Sequence, residues 1–511
     1  MVERAEPFVD RVAAAPESTD SGWPVWTART WGWALREALL FPVVALFTLG
    51  LLGALPDELL SDSWLVILGG KEIVEHGLPT HDALTIWAHG REWVDQQWLG
   101  QLVFYGLYAL GGVKLVLFGH AAAVAAAFVG ALAAARWRGG SVRSVCWIAL
   151  PAVYILSWAS WNARAQTLAL PLFVAVVWLL IKDGRSESRR IFFVFPLLVL
   201  WANVHGSAVA GASLVGLYGV MYAIERRRRP LRSWLPRAAL LCIGPVACLF
   251  ASPYALDLPA YYADILANPG FREFVTEWKP TSPSIQTSPF YLLAFGTVWV
   301  LGRRGDLLTR FEKLLVLVTL LMAVQTIRNV IWFALVALIL IPTPLGAALK
   351  PYTAATRHST LSRALVLISI AAVLAAVAGV AAKPSSWFTR SYPAAALTAV
   401  DRATAQDPGV QVFANEQYGD WLLLSRPELR GRLVFDIRFE LLSKAQLKTL
   451  VNARRRVEGW RRTLAPFGLF VLKKGPETRL AAALLHEPGA RVLYRGAGTI
   501  VIARPVRAQG Q

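Results

Sequence analysis

PDELLSDSWLVILGGKEIVEHGLPTHDALTIWAHGREWVDQQWLG, Pro56 to Gly100, separates two apolar runs that are each long enough to cross a bilayer. These 45 residues hold eight acidic side chains, three His and four Trp. A chain that only reverses direction at a membrane surface needs a handful of residues. A long acidic and aromatic loop at this point is suited to holding a polar molecule against the membrane face.

The flanking sequence sets the class. Of the 511 residues, 56% are hydrophobic and only 17% are charged, against about 25% in soluble proteins. Several apolar runs approach or exceed the ~18–20 residues that span a bilayer. The expectation is an α-helical polytopic membrane protein. Its net charge of +19 sits largely in short clusters between apolar runs: Arg136–Arg138, Lys182–Arg190, Arg226–Arg229 and Arg303–Arg304. That placement is the positive-inside pattern and not a nucleic-acid footprint. The three cysteines, Cys146, Cys242 and Cys248, lie in apolar segments without metal-ligand spacing and read as small core residues. No early apolar core marks a cleavable leader, so the first span reads as an uncleaved signal anchor. Abundant Ala, Arg and Trp fit a bacterial source.

Eleven spans are expected, near 34–55, 101–135, 144–160, 165–181, 191–203, 206–224, 238–253, 289–302, 311–326, 330–345 and 362–382. The second is long enough to contain a bend or a non-spanning helix. With residues 1–33 as a disordered cytoplasmic N-terminus, the basic loops at 136–143, 182–190, 225–237, 303–310 and 346–361 fall inside. The loops at 56–100, 161–164 and 254–288 and the tail then fall outside. This parity places the chain in the bacterial cytoplasmic membrane with an extracytoplasmic C-terminus. The membrane domain would run over 34–383, and 384–511 would form a C-terminal extracytoplasmic α/β domain. In that tail, strand-like runs at Val410–Ala414, Leu433–Arg438, Phe467–Leu472, Arg491–Tyr494 and Thr499–Ala503 alternate with helical patterns.

Two long apolar tracts are broken by polar residues: WANVHGS at Trp201–Ser207 and QTIRN at Gln325–Asn329. Polar groups there are costly unless they face a cavity or a partner. Asn203, His205, Arg328 and Asn329 are therefore expected to line one outward-facing cavity beneath the large loop. Asn162 and Arg164, in SWASWNARAQ, join them by the same parity. Glu277 and Trp278, in TEWKP, are candidates to close it.

Within the large loop, Asp62 opens SDSWLVILGGKEIVEHG, which reads as an amphipathic helix on the membrane surface. Its carboxylate is either a helix cap that complements the dipole or a base facing the cavity. His81, Asp82, His89 and Asp95 contain donors for a divalent metal, but their spacing matches no defined motif. A solvated loop anchored by Trp87, Trp93 and Trp98 is the favoured reading. Asp420, Asp436 and Arg438, in the tail's YGDW and FDIRFE, read as capping or ion-pairing residues.

The first span followed by D-x-W, then GGKEIVEHGLPTHD, GREWVDQQWL, WANVHGS and TIRNVIWFAL, resembles bacterial membrane glycosyltransferases of the GT-C type. The group similar to protein mannosyltransferases and aminoarabinose transferases is included. With ANEQYGDWLL and VFDIRFELL of the tail, the segments also resemble uncharacterised bacterial membrane proteins placed beside that group. The resemblance implies a GT-C-like fold and sugar transfer, hexosyl or pentosyl, from a polyprenyl-phosphate donor at the outer membrane face. The acceptor would be a hydroxyl of a glycan, lipid or protein in the cell envelope. No cofactor is required by it, and a divalent metal is possible without being indicated. The base maps onto Asp62, or onto the adjacent pair Asp57–Glu58 that follows the first span. Arg164 and Arg328 map onto the lipid phosphate, with His205, Asn203, Asn329, Asp95 and Glu277 as further binding candidates. Two other classes compete: a transporter or flippase, which would show a midplane pocket, and a non-catalytic assembly protein, in which these residues would scatter.

Overall fold

A computed structural model describes residues 25–267, 269–349, 359–457 and 459–506. Of the expected N-terminal segment, residues 1–24 lie outside these, and 25–33 belong to helix α1 (Val25–Arg36). The first apolar run forms α2 (Leu40–Ala54). The Pro56–Gly100 stretch then divides: its first part is α3 (Ser61–His76), and its second part is an irregular loop leading into α4 (Trp98–Trp137).

The backbone of α4 leaves helical geometry at Gly111 and Gly112, the latter at φ +63°. Only glycine takes that conformation without strain. The expected bend is thus a hinge between a short arm and the span proper. The arm lies against α3, and Gly69 and Gly70 make the approach possible. A methyl on Gly70 would stand 2.5 Å from Tyr105 Cβ and closer still to the Gln101 carbonyl oxygen.

The remaining membrane helices are α5 (Val142–Ala159), α6 (Ala165–Arg185), α7 (Val194–Val204), α8 (Ala208–Arg226) and α9 (Leu231–Phe250). Two short helices, α10 (Leu258–Ala267) and α11 (Pro269–Phe274), lead to α12 (Ser288–Arg304) and α13 (Arg310–Gln325). Then come α14 (Val330–Leu340), α15 (Pro342–Ala348) and α16 (Ser359–Ala381). Every residue of α14 is buried, which makes it the axis of the bundle. A helix that is apolar all round belongs in such a position.

Helices meet each of the eleven expected segments. Among the described residues, six are long and apolar enough to cross a membrane alone, and the pair Ile327–Leu340 and Pro342–Ala348, bent by 53°, makes a seventh. On the face opposite the large loop, several of the clustered arginines are ion-paired. Arg136 meets Glu37, Arg138 and Arg185 converge on Glu312, and Arg237 meets Asp183 at 2.6 Å.

The tail opens with α17 (Ser385–Phe388) and α18 (Ala394–Gln406). It continues through β1 (Val412–Ala414), α19 (Glu416–Ser425), α20 (Lys444–Arg455) and α21 (Trp460–Leu464). It closes with β2 (Leu469–Lys473), α22 (Thr478–Leu485), β3 (Arg491–Gly496) and β4 (Thr499–Ala503). The sheet order is β1-β2-β4-β3, parallel between β1 and β2 and antiparallel elsewhere, with Val412 opposite Leu469 and Val471 opposite Val501.

The expected strand Leu433–Arg438 makes only single bridges, from Leu433 to Val412 and to Thr85 of the large loop. Its extension ends where the Asp436 carboxylate accepts the Arg438 amide at 2.9 Å, a local bond that competes with strand pairing. The consequence is a seam between tail and loop. Ile86 N–H donates to the Leu433 carbonyl (2.8 Å), Trp87 N–H to Val434 (3.0 Å), and Gly431 N–H to Leu84 (3.0 Å).

Candidate functional site

Five chain segments meet on the face that carries the large loop, each from the end of a different helix. Asp62 is the second residue of α3, where a carboxylate complements the dipole. Its Oδ2 accepts a 2.5 Å bond from Asn162 Nδ2, and Asn162 Oδ1 meets the Ser63 hydroxyl at 2.9 Å. The Ala163 amide donates to the Glu58 carbonyl at 3.2 Å, which ties the 160–164 turn to the start of α3. Asp62 is thus held in one orientation by a buried amide side chain.

Arg164 precedes α6 and places Nη1 2.9 and 3.0 Å from the two oxygens of Glu277, and 4.0 Å from Asp62 Oδ2. Arg328, in the break between α13 and α14, stacks over Trp278, 4.8 Å from the ring centre. His205 caps α7, and its Nδ1 accepts the Ser207 amide at 3.0 Å. That bond assigns the proton of the neutral ring to Nε2.

The groups polarise one another. Burial raises the Asp62 pKa, and Glu277 adds to the rise, while Arg164, Arg328 and Asn162 oppose it without cancelling it. Its side chain nonetheless keeps 34% of its surface accessible, so it faces an open cleft. Burial also acts upward on Glu277, but Arg164 and Arg328 outweigh it and leave Glu277 below its ordinary value. Burial, then Arg328 and Arg164, hold His205 well below its usual value and therefore neutral. Two carboxyls in one cleft are driven apart, a pattern that separates an ionised anchor from a proton acceptor.

The other sequence candidates lie elsewhere. Asp57 is exposed and pairs with Arg390. Glu58 is buried, with its Oε2 3.3 Å from His120 Nε2 of α4. Asn203 is consumed by three bonds of 2.8 Å: it donates to the Val199 and Ala251 carbonyls and accepts from Trp98 Nε1. It forms one wall of an open apolar groove of about 830 Å³ lined by Trp98, Pro196, Val199, Leu200 and Phe250. Asn329 donates to the Thr326 hydroxyl (2.5 Å) and the Met322 carbonyl (3.3 Å), closing the end of α13. Asp95 is buried and accepts from Gln101 at 2.8 Å. In the tail, Asp436 and Arg438 are ion-paired, and Arg438 reaches across to Asp82 at 2.6 Å. Among the described residues no group of three or more His, Cys, Asp or Glu is placed to hold a metal ion.

Two residues near the cleft had no signal in the sequence pattern. Tyr261 of α10 lies within electrostatic reach of Arg328, and Glu440 of the tail within that of Asp62, with no direct bond between either pair. Glu440 stands inside the FDIRFE segment, but only the seam between tail and loop brings it there.

This arrangement, a helical membrane bundle whose outer loops build a cleft under a small α/β cap, is a GT-C-like fold. Over its length the chain superposes on ArnT from Cupriavidus metallidurans. The structure bound to undecaprenyl phosphate gives a TM-score of 0.50 at 14% identity, covering 91% of this chain and 97% of that one. The apo structure gives 0.50 at 17%, covering 93% and 98%. The arabinofuranosyltransferase AftD from Mycobacteria also gives 0.50, at 15%, with 92% of this chain on 40% of that one. No protein-family model and no curated protein matches the sequence.

Proposed function

We propose that the chain is a glycosyltransferase. It moves a sugar from a polyprenyl-phosphate donor to an acceptor hydroxyl at the outer face of the bacterial cytoplasmic membrane. The observation that carries this reading is the convergence of Asp62, Arg164, Glu277, Arg328 and His205 in one cleft at the membrane boundary. A transporter site would lie at the midplane, and an assembly scaffold gives no reason for a carboxyl and two arginines to meet.

Asp62 removes the proton from the acceptor hydroxyl as its oxygen attacks the anomeric carbon. The bond from that carbon to the phosphate oxygen breaks, and the released phosphate carries the added negative charge. Arg164 and Arg328 stabilise that charge, and Nε2–H of His205 is the remaining donor on the cationic side. Glu277 fixes Arg164, so the cation is in place before the donor arrives. Asp62 suits the base role because its raised pKa makes it a stronger proton acceptor than an ordinary carboxylate. The apolar groove beside Asn203 seats the polyprenyl chain. Gly100 brings the start of α4 against Val204 and Ala165, next to Arg164, and so links groove and cleft. The ArnT structure with undecaprenyl phosphate shows that a chain of this fold takes such a lipid.

The test is sugar release or transfer from a panel of radiolabelled polyprenyl-phosphate hexoses and pentoses, with wild type and Asp62→Asn side by side. The expected loss in the variant is about 100- to 10,000-fold, the usual worth of a positioned base. Equal rates in both proteins would remove Asp62 from the reaction. Transport of the intact lipid across vesicles without sugar release would replace the transferase by the flippase.

A further inference from the structure

The end of the bundle opposite the cleft carries a surface that the reaction does not use. α6 and α8 begin beside the cleft, after Arg164 and His205, and run away from it for 21 and 19 residues. Each ends in an arginine-rich stretch: 183–190 after α6, and 226–237 from α8 into the first turns of α9. The two stretches are fastened to one another. Arg237 Nη2 donates to Asp183 Oδ1 (2.6 Å) and to the Ser188 carbonyl (3.1 Å). The Tyr218 hydroxyl donates to the other Asp183 oxygen at 2.7 Å, and Glu187 accepts the Tyr222 hydroxyl at 3.1 Å and pairs with Arg226. These bonds consume Asp183 and Glu187, the only acids of the first stretch.

What is left is cationic. Arg189, Arg190, Arg227, Arg228, Arg229 and Arg232 are exposed, and their guanidiniums pair with no carboxylate among the described residues. Exposed Glu225 is the one acid beside them on the second stretch. Other arginines at this end are matched, Arg136 by Glu37 and Arg138 and Arg185 by Glu312. Every basic residue of the two stretches is Arg and none is Lys; the guanidinium fork fits the oxygens of a phosphate two at a time. Apolar side chains border the same arginines and face outward. Phe193 (63% exposed) follows Arg189 and Arg190, Leu231 (60%) precedes Arg232, and Leu235 lies one turn further along α9. A ligand that meets both kinds of surface carries an anionic head and hydrocarbon tails.

We propose that this corner is a binding site for anionic phospholipid. The headgroup phosphate lies against Arg189, Arg190 and the guanidiniums of 227–232, and the acyl chains pass over Phe193, Leu231 and Leu235. The lipid joins the ends of α6, α8 and α9 where their like charges would otherwise repel. The site stands whether or not the chain transfers sugars.

The test is native mass spectrometry of the purified full chain, titrated with phosphatidylglycerol, with phosphatidylcholine of the same acyl chains, and with a polyglutamate peptide. One variant carries Arg190→Gln, Arg228→Gln and Arg232→Gln together. A control carries Arg303→Gln, Arg304→Gln and Arg310→Gln, which removes the same charge from exposed positions of another turn at the same end. Wild type and control should prefer phosphatidylglycerol to phosphatidylcholine by about tenfold or more, and the corner variant should lose about tenfold of that preference. Phosphatidylglycerol should also raise the melting temperature of wild type and control but not of the corner variant. Without it all three should melt alike, because exposed side chains without ion partners add little stability. Three outcomes overturn the proposal: no preference for the anionic lipid, a corner variant that keeps the preference, or an equal loss in the control, which would make the attraction one of diffuse charge. Tighter binding of polyglutamate than of phosphatidylglycerol would overturn it too and assign the patch to an acidic protein.

Discussion

Gly70→Ala tests how tightly the position of Asp62 depends on helix packing. The new methyl would start 2.5 Å from Tyr105 Cβ and against the Gln101 carbonyl, which is backbone and cannot rotate aside. Carbon atoms pack at about 3.5 Å, so α3 must retreat from the α4 arm by about 1 Å. Overpacking of this kind costs about 1–3 kcal/mol. The kinetic effect is larger in consequence, because α3 carries Asp62 while Asn162 and Arg164 stay with α6. A 1 Å misplacement of a reacting group is worth about 100-fold in rate. The assay pairs thermal unfolding with turnover of the polyprenyl-phosphate sugar that wild type uses. Gly106→Ala, on the same helical arm with nothing within 4 Å of the added methyl, should leave turnover unchanged and stabilise the helix by about 0.5–1 kcal/mol. Gly70→Ala with wild-type turnover and melting would refute the argument that this packing sets the site.

Two further substitutions probe the charges. Arg164 pulls the Asp62 pKa down, so Arg164→Gln should move the acid limb of the kcat/KM–pH profile to higher pH, in addition to weakening donor binding. The base is active only when deprotonated, and loss of the cation favours the protonated form; an unmoved limb would remove Asp62 from the profile. Arg438→Ala should destabilise the chain by about 3–5 kcal/mol, because it strands the buried Asp82 and Asp436 carboxylates, and calorimetry or thermal unfolding reads the loss.

The membrane part was legible because burial in lipid writes itself into composition: the helices stand where the apolar runs stand. Positive φ at Gly112 was not legible, since a Gly-Gly pair inside an apolar run reads equally as close packing. Parity of the basic clusters brought Arg164, His205 and Arg328 to one face, which is where their loops lie. Parity says nothing of distance, so it could not separate Asp62, in the cleft, from Glu58 four residues earlier, whose carboxylate turns inward to His120. In the tail, alternation found the four strands that pair in the sheet. It overread Leu433–Arg438, because an Asx-type bond and a distant partner loop decide that segment. Glu440 and Tyr261 depend on packing between segments far apart in sequence, and no local pattern encodes that.

The seam between the large loop and the tail joins residues such as Arg91 and Leu441, 350 positions apart, through a 2.6 Å bond. In the order of synthesis, the loop emerges at the start and its partner near the end. Asp62 therefore stays without its roof until the tail segments that cover it have been made. Contacts of such separation form late and slowly. A chain halted short of the tail would carry every residue of the cationic side without the segments that cover it.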